Sequence, residues 1–441
     1  MPTGFAAIPP GPRWRIVNAR VPSCLIPRAV AGPGDLSAVE ISISGDRITA
    51  LAAPGGLVFD PSPSVDLAGG IVFPGFVEIH THLDKGHIWP RAANPDGTFD
   101  GALEAVGRDR SAHWSAADVR ARMDFSLRCA HAHGTVAIRT HLDSIGPQVP
   151  ISWPVFEDMR AEWAGRIALQ AVSLHGIDMV ADDFAFDTIV RHVRAAGGIL
   201  GAVTYMVPDL VALIDKLVRR AGDEGLDLDI HADETQDPGA VSLGLIADAV
   251  RRLGYQGRVN VGHCCSLARQ DDDTIKRTLD KVALAGVSVV SLPMCNMYLQ
   301  DRHAGRTPRQ RGITLLHEMK ARGIAVSVSS DNTRDPFYAH GDLDALEVYR
   351  EATRIAQLDH PVADWPKAIT ATPADRMGLA AAGRLAIGGP ADLVLTRARS
   401  FTELLSRPQS DRTVIRHGRA IDTRLPDYAE LDAVIGAPAL S

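Results

Sequence analysis

Between about residues 71 and 380 the chain alternates strand-like and helix-like stretches, and its potentially reactive polar side chains recur where the strand-like stretches end. TVAIRTHLD, GRIALQAVSL, GLDLDIHADE, GRVNVGHCC, GVSVVSLPMC and GIAVSVSSDN are short, apolar and rich in β-branched residues, as strands are. SAADVRARMDFSLRCAHAHG is helix-like, with Ser115 and Asp118 in capping-box spacing and Gly134 placed to stop the helix. Repeated βα units imply a parallel sheet, open or closed. The residues at the strand ends decide between the two. His80 and His82, His141 and Asp143, His231 and Glu234, His263, and Asp331 come from many strands, and a site drawn from many strand ends requires a closed (β/α)8 barrel. An open doubly wound sheet would gather its ligand at one switch point, and no glycine-rich phosphate-binding fingerprint follows the first strand. The expected fold class is α/β, a TIM-like (β/α)8 barrel over residues 71–380.

The two ends read differently. RWRIVNARV and AVEISISGDRITAL near the start, and ADLVLTRA and RTVIRHGRAID near the end, are strand-like and broken by turns. Residues 1–70 and 381–441 are therefore expected to form together one small, discontinuous β-sandwich domain. The composition, 46% hydrophobic and 22% charged, is that of an ordinary globular protein. A net charge of −7 gives no electrostatic reason to bind nucleic acid or an anionic membrane. The one basic cluster, Arg302 to Gly312, reads as a solvated loop. No apolar run approaches the ~20 residues of a membrane helix, and no signal peptide is evident. Five cysteines, Cys24, Cys129, Cys264, Cys265 and Cys295, contain no C-x-x-C pair, and an odd number argues against a secreted disulfide framework. A cytoplasmic protein is expected.

The stretch FPGFVEIHTHLDK, residues 73–85, sets His80 and His82 two apart. On a strand from Phe76 to His82 both imidazoles share a face with Glu78, an arrangement that suits a metal ion. PGFVEIHTHLDK resembles the first-strand signature of the metal-dependent amidohydrolase superfamily, and DIHADE, VGHCCSL and SSDNTRDPFY resemble its fifth, sixth and eighth strand motifs. LQDRHAGRTPRQRGITLLHEMKARGI and DNTRDPFYAHGDLDALEVYREATRIAQL resemble the cytosine deaminase branch, and the similarity spans roughly residues 40–420.

The resemblance implies that the barrel is a distorted one, with one divalent metal ion per chain, Zn²⁺ or Fe²⁺, held by His80, His82, His231 and Asp331. Three imidazoles and a carboxylate leave a position for water, whose pKa a metal lowers from 15.7 to about 7. The stretch GGILGAVTYMVPD carries no lysine to bridge a second metal. By the same resemblance Asp331 takes the water's proton, His263 stabilises the developing oxyanion, and Glu234 shuttles a proton to the ring nitrogen and then to the leaving amine. Asp84, Lys85 and Asp143 are read as residues that orient the ligands or loops, or as purely structural ones.

The pocket departs from the cytosine pattern. Leu174 stands where the family has a ring-reading glutamine, with His175 beside it; Asn332 replaces a second aspartate, and Phe337 replaces a tryptophan. Phe99 is expected to line the ring opposite Phe337. These features lead to a hydrolytic deaminase of a small heterocycle, cytosine or a substituted cytosine such as 5-methylcytosine, in a homo-oligomer. The alternatives are removal of an alkylamine from a triazine ring, or a non-catalytic scaffold. The H-x-E and P-C-x-x-C signature of the small zinc nucleobase deaminases is absent.

Overall fold

The computed structural model of the protein describes residues 4–57 and 60–436. Residues 1–3, 58–59 and 437–441, which belong to the terminal segments expected to pair, lie outside the described residues. The barrel is built as two parallel sheets. A three-stranded sheet runs Phe76–Thr81, Thr135–Asp143, Ala168–Leu174. A five-stranded sheet runs Val203–Thr204, Leu228–Ala232, Val259–His263, Ser288–Ser291, Val326–Val328. Single bridges close the ring: Thr81 to Asp331 on one seam, and Val172 to Ile199 and Gly176 to Val203 on the other. The sparse pairing at the seams makes the barrel a distorted one.

The strands Leu228–Ala232, Val259–His263 and Ser288–Ser291 are buried along their length because helices cover them outside and side chains fill them inside. Helix Ala116–His133 shows how the local signals act. The Ser115 side chain accepts from the Asp118 amide, and Gly134, at φ 99°, ends the helix in the left-handed region. Only half of the expected capping box forms, since the Asp118 carboxylate accepts instead from Arg91 and Arg122. The short fourth strand needs glycine for a different reason: a Cβ on Gly201 would stand 2.3 Å from the Asp229 carbonyl oxygen.

The termini make two four-stranded sheets. One contains Arg13–Pro22, Leu36–Ser44, Arg47–Ala52 and Ser64–Asp66. The other joins Val72–Pro74 to Leu393–Leu395, Thr413–Arg416 and Arg419–Ala420. Val72–Pro74 thus lies in the terminal sheets just past residue 70, and the chain enters the barrel across Gly75, where a Cβ would come within 2.2 Å of Val136. No helix among the described residues is long and apolar enough to cross a membrane. The basic stretch after residue 301 is a loop gathered by Asp301, which pairs with Arg306 and accepts from the Arg309 and Gln310 amides.

Candidate metal centre and active site

Three strand ends deliver four donor atoms. His80 stands on the first barrel strand, and His82 follows its last residue. His231 is on the strand Leu228–Ala232, and Asp331 lies just beyond Val326–Val328. His80 Nε2 is 3.1 Å from His231 Nε2, which is 3.5 Å from His82 Nε2. Asp331 Oδ1 is 3.1 Å from His82 Nε2 and 3.5 Å from His80 Nε2. Ligands of a tetrahedral ion with bonds of ~2.1 Å stand about 3.4 Å apart, and these four separations are of that order, as donors to a divalent cation would be. Neither Asp331 carboxylate oxygen is taken by another hydrogen bond.

Local sequence makes the convergence possible. Gly262 faces the His80 ring, and a Cβ there would lie 2.9 Å from its Cε1. Asp233, His263 and Asp331 all have left-handed φ, between 54° and 69°, which turns the chain sharply as each strand ends. Such conformations cost on the order of 1–3 kcal/mol each and persist where the surroundings hold them. Thr81 Oγ1 donates to the Asp331 carbonyl, and the Asp331 amide donates to the His80 carbonyl, so the aspartate is fixed to the strand bearing two of its co-ligands. Glu78 shares the His80 strand but does not join the donor set. Its carboxylate accepts from the Ser330 hydroxyl and amide, and burial raises its pKa.

The electrostatics favour neutral donors. Burial, then Lys85, lowers His82 to about 3. Burial, then His80, takes His231 and His141 well below the usual histidine range. Burial alone would raise Asp331, but His80 and His82 hold it well below the carboxylate range. Uncharged imidazoles and an ionised carboxylate are the states that ligate a cation. His141 packs under the cluster, its ring 4.1 Å from that of His80.

Glu234 and His263 stand beside the donors. Glu234 Oε1 lies 3.2 Å from His263 Nδ1, and Asn296 Nδ2 is within 3.2 Å of the former and 3.0 Å of the latter. Burial disfavours charge on His263, yet Glu234, then Asp331 and Asn296, together outweigh it and raise the pKa. Asn296 and Gln300, one helical turn apart in PMCNMYLQ, do not stand out in the sequence; a polar i, i+4 pair directly after an apolar strand was the available signal.

A cavity of about 790 Å³ opens over this group and is lined by all of Phe99, Leu174, His175, Asn332 and Phe337. His175 Nδ1 donates to the Gly176 carbonyl at 3.0 Å, so buried Nε2, which has no hydrogen-bond partner, is an acceptor. The Phe99 and Phe337 rings meet edge to face at 5.6 Å. They therefore form one wall instead of opposing each other, because the turn ahead of helix Phe99–His113 is tied to the Phe337 loop by Asn94, whose amide donates to the Pro336 carbonyl. The Asn332 amide donates to Asp335 at 2.6 Å, which turns it toward its own loop. Lys85 and Arg110 also line the cavity, both held by Asp143 at 2.9 and 2.7 Å. Burial with Asp143 beside it raises Asp84 to about 7. Cys295 is buried behind the wall, its Sγ 3.7 Å from Asn332 Oδ1. A second cavity, about 600 Å³, lies among Ala137, Leu169, Leu379 and Arg416 and includes none of these groups.

Residues 170–422 match the sequence profile of the amidohydrolase family. Over 438 residues the chain is 54% identical to a pterin deaminase of Rhizobium rhizogenes, covering 99% of this chain and all of that protein. It is 24% identical over 398 residues to an N-isopropylammelide isopropyl amidohydrolase of a Pseudomonas species, covering 87% of this chain and 94% of that one. Its fold superimposes on a Klebsiella pneumoniae 5-methylcytosine deaminase with a TM-score of 0.81 at 23% identity, over 94% of this chain and 98% of the other.

Proposed function

We propose that this chain, which belongs to the amidohydrolase family, hydrolyses the exocyclic amine of a 2-amino-4-oxopteridine, releasing ammonia and leaving a 2,4-dioxo ring. The observation that carries the choice of ring is the 54% identity, running the length of both chains, to a pterin deaminase. The pocket supports it. Leu174 offers no amide to read a bare pyrimidine, and about 790 Å³ exceeds what one six-membered ring fills. In this reading His175 Nε2 accepts from a ring N–H and Lys85 donates to a ring oxygen, two groups that an amino-oxo ring displays side by side; both residues line the cavity. The single-ring substrates expected from the sequence thereby give way to a fused ring in this reading.

His80, His82, His231 and Asp331 would hold one Zn²⁺ or Fe²⁺. When bound, such an ion makes water acidic enough to attack at neutral pH. The chain's own groups do the rest. Asp331 accepts a proton from the attacking water. Glu234 takes the water's other proton and gives it to the ring nitrogen next to the carbon under attack; it then relays the proton held by Asp331 to the departing amine, so that the C–O bond forms, the C–N bond breaks and ammonia leaves. His263 donates to the tetrahedral oxygen. Phe99 and Phe337 cover a face of the ring.

The test is kcat/KM, by ammonia or amine release, for pterin, cytosine, 5-methylcytosine and N-isopropylammelide. Pterin is expected to lead by at least ~10-fold, which needs about 1.4 kcal/mol of extra transition-state binding. Chelation should abolish turnover, and one equivalent of metal should restore it. A lead by cytosine or 5-methylcytosine would overturn the fused-ring assignment.

A further inference from the structure

We propose that Asn296 is a positioning residue that holds the Glu234 carboxylate and fixes His263 as the tautomer with its proton on Nε2; the catalytic consequence rests on the deaminase reading above. Asn296 is buried on the helix Pro293–Leu299, directly after the seventh barrel strand. Its side-chain nitrogen lies 3.2 Å from Glu234 Oε1 and 3.0 Å from His263 Nδ1, and those two atoms are themselves 3.2 Å apart. A carboxylate oxygen can only accept, so the amide end facing it is the NH₂. An amide NH₂ can only donate, so in the neutral ring His263 Nδ1 accepts from it, and the ring's single proton is left on Nε2.

That nitrogen is buried with no hydrogen-bond partner. Its ring packs 4.9 Å from His231 and 5.4 Å from His80, beside the donor cluster. The proton is therefore offered where an oxygen develops negative charge. Without Asn296, His263 Nδ1 would face the Glu234 carboxylate alone. The carboxylate would draw the proton to Nδ1 and leave a lone pair where a donor is needed. The same helix face secures the rest of Glu234, because Gln300, four residues on, donates from Nε2 to the Glu234 carbonyl at 3.2 Å. One turn of helix thus holds both ends of the proton-carrying residue and the tautomer of its neighbour.

Asn296→Ala removes both donations. Asn296→Asp keeps the shape and reverses the polarity, presenting only acceptors to Glu234 and His263. In the zinc-loaded enzyme Asn296→Ala should lower kcat for pterin at least ~10-fold and Asn296→Asp at least ~100-fold, with KM within about threefold. A residue that only packed would tolerate the isosteric change better than truncation. The direct readout is ¹⁵N NMR of histidine-labelled, zinc-loaded protein at alkaline pH, where the ring is neutral, with His263→Gln assigning the signal. Wild type should show His263 protonated on Nε2, and Asn296→Asp should show it protonated on Nδ1. A wild-type proton on Nδ1, or Asn296→Asp as active as Asn296→Ala, overturns the proposal. If wild type turns over none of the aminated rings, the deaminase reading has failed, and the wild-type spectrum alone still decides the tautomer.

Discussion

A carboxylate that must give up and regain a proton within one turnover needs a fixed place and a partner on each side. Glu234 has Asn296 and His263 at 3.2 Å, and its side chain stays in contact with the cavity. Glu234→Gln keeps the outline and removes the transferable proton. Metal content should be unchanged while kcat falls at least ~10²-fold, as checked by elemental analysis and steady-state kinetics on one preparation. In the sequence, strand geometry sets only His80 and His82 on one face, because residues two apart on a strand share it. His231 and Asp331 join them there only through the resemblance of DIHADE and SSDNTRDPFY to family motifs. The pocket residues were less legible. Nothing in the sequence places Phe99 against Phe337, since a turn and a separate loop decide where those rings meet. Asn296 lies on a helix whose direction only the packed barrel defines.

Among the connecting elements, the turn after the fifth barrel strand is the most tightly built. Asp233 adopts φ 54°, and its carboxylate accepts from the amides of Ser242 and Leu243, the first residues of helix Ser242–Arg252. It caps that helix and aims the adjacent Glu234. Asp233→Ala loses the cap and places an alanine in a left-handed conformation, so it should cost about 2 kcal/mol and lower kcat as Glu234 drifts. Asp233→Asn retains an acceptor and tolerates that backbone, and should keep most of both properties. Urea unfolding and kcat measured on the two variants check this. HADE shows its histidine and its glutamate in the sequence, but the aspartate between them looks like filler until the helix it caps is in place. The fourth barrel strand was equally obscure, because only Val203–Thr204 pairs as a strand, and Gly198 and Gly201 before it are there for clearance.

At the scale of the whole molecule, the terminal sheets are tied to the barrel by charge as well as by apolar contact. Arg412, at the start of the strand Thr413–Arg416, makes a two-pronged ion pair with Asp344 at 2.7 and 2.6 Å, and Asp344 also caps helix Ala345–Ala356. Burial would raise the Asp344 carboxyl, but Arg412, ahead of His133, holds it well below the usual range. A carboxyl depressed on folding adds stability above its unfolded pKa, about 3.9, and loses it as pH falls toward the folded value. Asp344→Asn should therefore destabilise the protein by about 3 kcal/mol at neutral pH, with the gap to wild type narrowing below about pH 4. Denaturant unfolding across a pH series measures it. Elsewhere in the barrel the seam between its two sheets carries a different consequence. His80 and His82 lie with the three-stranded part, and His231 and Asp331 with the five-stranded part, joined on that side by the backbone bridge between Thr81 and Asp331 and by the side-chain bonds of Thr81 and Glu78. An ion gripped by all four would span the joint as a rivet spans two plates. The cavity opens onto His82, His231 and Asp331, so such an ion could come and go through it, yet while bound it would resist any parting of the plates.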